Sequence, residues 1–139
     1  MPKTQLIAIK NIFQEAQAFE MAWNKCLPDL KALFQVEQIR LYRCDEKNSE
    51  LYSVVLKDGR PAEIPLQISA SSVAGYTAMS LLPLILKSIA PGELEAVHPS
   101  LRFDREYDKL VGFDTANLIS MPIQHEDSLL GVLQILNKK

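Results

Sequence analysis

Residues 102–139, RFDREYDKLVGFDTANLISMPIQHEDSLLGVLQILNKK, decide how the rest of the chain is read. From Asp104 to Val111 the apolar and aromatic positions (Phe103, Tyr107, Leu110, Val111) recur at helical spacing. Gly112 then falls where a helix is commonly closed in the left-handed conformation, which glycine takes without a Cβ penalty. This predicts a helix over 104–112. Ala116 to Ile123 is a mostly apolar run that ends at the polar HEDS, and Leu129 to Leu136 is a second one. Two such runs across about five polar residues predict an antiparallel hairpin at the centre of a sheet.

Working outward, the periodicity of two continues upstream. Ile39, Leu41 and Arg43 alternate with Arg40, Tyr42 and Cys44, and the run stops at the polar DEKNSE. Leu51, Ser53 and Val55 alternate with Tyr52, Val54 and Leu56 up to Asp58-Gly59. A third strand, Glu63 to Ile68, carries Pro65 and follows Pro61, which places it at a sheet edge because proline cannot donate to a ladder. Ser71 or Ser72 is expected to cap a short helix over Val73 to Ser80, its hydroxyl accepting from a first-turn amide. Gly75 inside that helix marks a close approach to a strand. Residues 81–87 read as a further short strand, Ala90-Pro91-Gly92 as a break, and 93–102 as a loop or broken helix.

Toward the N-terminus, Ile9, Ile12, Ala16, Phe19, Trp23 and Cys26 step by three and four, an amphipathic helical stripe. It either covers one face of the sheet or joins its copy in a homodimer through the Ile9–Cys26 helix. Pro28 opens a second short helix with Leu27, Leu30, Leu33 and Phe34 as its apolar side.

The chain of 139 residues has the size of one domain, with 47% hydrophobic and 23% charged residues. A net charge of −2 supplies no electrostatic reason to expect nucleic acid or an anionic membrane as partner. No signal-peptide or membrane-spanning pattern is present, so the expected setting is cytoplasmic. The two cysteines, Cys26 and Cys44, form no CxxC and are expected to be reduced thiols. His98 and His125 lie in separate polar loops with no ligand at metal spacing, so no metal site is expected. No nucleophile elbow is found, and the chain reads as not an enzyme, with no cofactor.

The order Gly112-Phe113-x-Thr115, then Asn117, Leu118, Pro122 and Ile123, then Leu130-Gly131-Val132, Gln134 and Asn137-Lys138-Lys139 resembles the C-terminal half of a GAF domain. ELYSVV at 50–55 and SSVAGYTA at 71–78 extend the likeness upstream. The resemblance implies an α+β fold, GAF-like and PAS-related, with three layers (α/β/α) around a central antiparallel sheet of five or six strands. Helices at 1–34 would cover one face, and sheet and pocket helices would occupy 35–139. The whole of 1–139 would be one domain of a larger protein.

By the same resemblance the chain is a non-catalytic regulatory module. It would sense a small-molecule ligand, signal to an effector domain in cis or in trans, or do both. The alternative is a ligand-free dimerisation scaffold with a filled pocket. Ser72, Val73 and Ala74 match the start of the ligand-facing helix, where free amides can meet an anion. Asp108 and Thr115 match polar pocket positions, and Gln134 falls where a pocket glutamate can occur. Two residues depart from cyclic-nucleotide-binding relatives: Arg40 replaces a small hydroxyl residue and Val111 a threonine. Arg40 would instead pair with Asp108 or another acid across the cavity and close it.

Overall fold

The computed structural model describes residues 29, 31–45, 47–57 and 60–138. Within them lie six strands and three helices, and residues 31–34 are helical as well. The strands are β1 (Val36–Asp45), β2 (Glu50–Lys57), β3 (Arg60–Gln67), β4 (Leu84–Leu86), β5 (Leu118–His125) and β6 (Ser128–Lys138). The helices are α1 (Val73–Ser80), α2 (Pro91–Val97) and α3 (Glu106–Val111). All six strands form one antiparallel sheet in the order β3-β2-β1-β6-β5-β4. The fold is α+β, as the resemblance implied. The predicted helix at Ile9–Cys26, and the dimer built on it, lie outside the described residues.

The pairing of β1 with β6 organises the core. Ile39 stands opposite Ile135 and Leu41 opposite Leu133, while on the other face Arg40 stands opposite Gln134 and Tyr42 opposite Val132. Both faces are therefore buried, which is why β6 reads as a nearly continuous apolar run, while β1 carries Arg40 among its buried residues. On the first face Val36, Ile39, Leu41, Ile123, Leu133 and Ile135 form one cluster, with Phe34 and Ile119 packed against it. On the second face α1 and α3 cover a cluster containing Tyr42, Leu51, Ala74, Tyr107 and Val132. A third cluster continues along that side through Val73, Leu94, Leu101, Leu118 and Leu136.

Several local expectations hold in detail. Ser72 is the N-cap of α1, and its hydroxyl accepts the Gly75 amide at 3.0 Å. Gly75 faces the exit of β3 so closely that an added Cβ would lie 2.3 Å from the Gln67 carbonyl oxygen. Gly112 closes α3 with φ 66°. β3 is an edge strand, as its prolines required.

Other expectations are corrected. The β5–β6 turn is two residues long: His125 pairs with Ser128, and Glu126 takes φ 56°. HEDS contains no glycine or asparagine, so nothing in it announced a tight turn. α3 starts at Glu106, two residues late, because the Asp104 carboxylate accepts the Glu106 amide at 2.9 Å and holds the chain outside the helix. Pro91-Gly92 is the beginning of α2, with proline in the first turn, where its missing N–H costs no helical bond. The strand expected over 81–87 shrinks to Leu84–Leu86, since Leu81 closes α1 at φ 60°.

Candidate functional site

Three of the six candidate residues, Asp108, Thr115 and Gln134, fall into two polar groups on the helix-covered face. The first is centred on α3. Asp108 is 3% exposed. Its carboxylate accepts from the guanidinium of Arg40, which is 1% exposed and reaches across from β1. It also accepts from the Thr115 amide at 2.9 Å and the Thr115 hydroxyl at 2.8 Å. Gly112 makes this possible by turning the chain, so that residues 113–115 fold back over the helix end. Arg105 adds a long contact of 3.4 Å from the half-exposed rim.

Arg40 is enclosed on its other sides too. Its Cζ lies 4.1 Å from the centroid of the Tyr107 ring and 5.6 Å from that of Phe113. A desolvated guanidinium against an aromatic face gains an attraction that partly offsets the cost of removing it from water. Its Nε donates to Gln38. Tyr42 meets Tyr107 edge to face at 6.0 Å. Burial is the main cause that pushes both phenols above the ordinary tyrosine range, and the Arg40 charge opposes it.

The second group is neutral. Across the sheet, Arg40, Gln134 and Ser120 stand side by side on β1, β6 and β5. Gln134 Nε2 donates to the Ser120 hydroxyl at 3.4 Å, and the Ser120 and Thr77 hydroxyls are 2.8 Å apart. Thr77 donates to the Val73 carbonyl at 2.9 Å. Thr77 has one hydroxyl hydrogen for two neighbours, the Val73 carbonyl and the Ser120 hydroxyl.

Val73 and Ala74 are core residues, 1% and 2% exposed, and Ser72 is occupied as a cap. Among the described residues no buried side-chain nitrogen or oxygen lacks a hydrogen-bond partner. The buried polar groups of this face satisfy one another.

Sequence reading had paired Arg40 with Asp108 but did not find Tyr107, Phe113, Ser120 or Thr77. Nor did it give Asn137 a role. Asn137, at φ 55°, accepts the Ala116 and Asn117 amides at 2.7 and 3.2 Å and donates to the Asp114 carbonyl at 3.0 Å. It thereby ties the end of β6 to the loop that carries Thr115. The available signal was asparagine's tolerance of positive φ. Among the described residues no three His, Cys, Asp or Glu side chains gather as metal ligands.

No protein-family model matches the chain. It is 21% identical over 140 residues to a probable 3′,5′-cyclic phosphodiesterase of Caenorhabditis elegans, covering 93% of this chain but only 18% of that protein. Among solved structures it is similar to the GAF domain of a phosphoenolpyruvate-protein phosphotransferase from Coxiella burnetii, with TM-score 0.65 and 20% identity over 96% of this chain and 77% of that one. The GAF domain of the Acinetobacter phosphotransferase gives TM-score 0.61 and 16% identity, over 100% of this chain and 80% of that one. At such identities the likeness is one of fold. With the six-stranded antiparallel sheet, the helix-covered face and these neighbours in hand, the chain is a GAF-type domain in its fold.

Proposed function

We propose that this chain is a non-catalytic regulatory module that works through protein contacts, with its central cavity closed by its own side chains. One observation carries the reading. The Arg40–Asp108 pair is buried and sealed by Thr115 and the Tyr107 ring, among the positions that the resemblance gives to a ligand pocket. A purine edge entering there would have to displace an ion pair and leave buried groups without partners, at about 1–3 kcal/mol for each. Removing one member of a buried pair costs more than a ligand's own hydrogen bonds commonly return. The neutral Gln134–Ser120–Thr77 chain is equally committed.

Calorimetry with cAMP and cGMP tests this reading, and neither nucleotide is expected to bind below about 10 micromolar, some 7 kcal/mol of affinity. A tighter constant for either would overturn the closed-cavity reading and restore the module as a cyclic-nucleotide sensor. Light scattering of the same sample is expected to report a homodimer, the form in which the scaffold would act. A monomer at high concentration would remove that part of the proposal.

A further inference from the structure

The closed centre leaves another concavity open. A cleft of about 440 Å³ lies between α2 and residues 101–105, and it shares no residue with the six candidate positions. That volume lies within the range of small-molecule sites, about 300–1,000 Å³. Its wall is apolar, formed by Ile89, Leu94, Leu101 and Phe103, all of which belong to the third core cluster. Leu94 and Leu101 are buried, so the floor is set by the fold itself.

Two cations complete the lining, Arg102 and Arg105. Arg102 uses one guanidinium nitrogen on the carbonyls of Leu101 and Pro99, at 2.9 and 3.4 Å. Arg105 lies over the Phe103 ring at 5.4 Å and is 48% exposed. Its carboxylate contacts are long, 3.4 Å to Asp108 and 3.5 Å to Asp114, and the Asp114 side chain is 96% exposed. Loose, partly solvated pairs of this kind are worth little, so the guanidinium is available to a better-placed anion. Guanidinium groups favour carboxylates because the planar fork donates two parallel bonds. One acid, Glu95, also lines the cleft.

From this arrangement we infer that the cleft is a binding site for a small monocarboxylate with an apolar body. The carboxylate lies on Arg105 and Arg102, and the body lies over Leu94, Leu101 and Phe103. Glu95 turns away a second negative charge on the ligand. When the carboxylate draws Arg105 off Asp108, the Asp108 charge is left to Arg40 and Thr115, so the cleft and the closed centre share one residue.

The test is a titration followed by backbone amide NMR with three probes: 4-phenylbutyrate, its uncharged amide and the dicarboxylate 3-phenylglutarate. With 4-phenylbutyrate at up to about 10 mM, shifts are expected at Leu94, Leu101, Phe103 and Arg105, with the amide and the dicarboxylate each about tenfold weaker. Arg102→Gln is expected to weaken the acid severalfold and leave the amide unchanged. Leu94→Trp, which adds bulk at the floor of the cleft and leaves both arginines in the sequence, is expected to abolish the shifts. Equal binding of acid and amide, shifts mapping elsewhere, or no shifts at all would overturn the inference. The comparison of acid with amide needs no variant, so it decides even where a substitution perturbs folding.

Discussion

The two faces of the β1–β6 pair are one residue apart in sequence and opposite in chemistry. On one, Ile39, Leu41, Leu133 and Ile135 meet across the strands and are buried among apolar neighbours. On the other, Arg40 and Gln134 stand opposite each other and enter networks with Asp108, Thr115, Ser120 and Thr77. The first face gains stability in proportion to area, so any apolar side chain of similar volume serves it. The second depends on particular partners, and each of its groups is costly when left alone. The fold keeps its tolerance to change on one face and its commitment to one arrangement on the other.

The sharpest way to break this contrast is to remove one charge. Asp108→Ala leaves Arg40 buried without its carboxylate and is expected to cost about 3–5 kcal/mol in urea unfolding. The double variant Arg40→Met with Asp108→Leu should recover a large part of that loss. A single substitution costing under about 1 kcal/mol would show the pair to be dispensable. On the apolar face, Leu133→Ala is expected to cost about 2–5 kcal/mol, since Leu133 is fully buried. Leu133→Met should cost under about 1.5 kcal/mol. If methionine were as damaging as alanine, the apolar face would be as exacting as the polar one. The smallest effect belongs to the cap: Ser72→Ala frees the Gly75 amide and should cost about 1 kcal/mol. No loss there would mean that α1 is held by packing alone.

How much of this could be read in advance follows from the range of each interaction. Ser72, Gly75, Gly112 and the edge prolines were legible because their reasons are local: a cap, a close approach, a left-handed residue, a missing donor. The hairpin was legible from its two apolar runs either side of a polar stretch, but its turn was not, because Glu126 takes a positive φ that its residue type does not announce. α2 was missed because a Pro-Gly pair signals a break as readily as a first turn. At the site, Arg40 was conspicuous as a charge within an apolar strand, so an acidic partner was foreseeable, but Asp108 stands among other acids near its helix and nothing local singled it out. Thr77 and Ser120 lie 43 positions apart, and two small hydroxyl residues leave no trace of a shared bond in sequence.

The two borders of the sheet have a consequence for how the protein keeps to itself. A free strand edge offers unpaired N–H and C=O groups to any extended chain, which is the usual start of uncontrolled assembly. β3 closes its border with prolines at 61 and 65, which remove donors from an eight-residue strand. β4 closes the other by brevity, since it has three residues and Pro83 stands directly before it. Ile85 on that border is 69% exposed, yet the strand around it is too short to template a long ladder. A cell that makes this domain in quantity is thereby spared the aggregation that two bare sheet edges would invite.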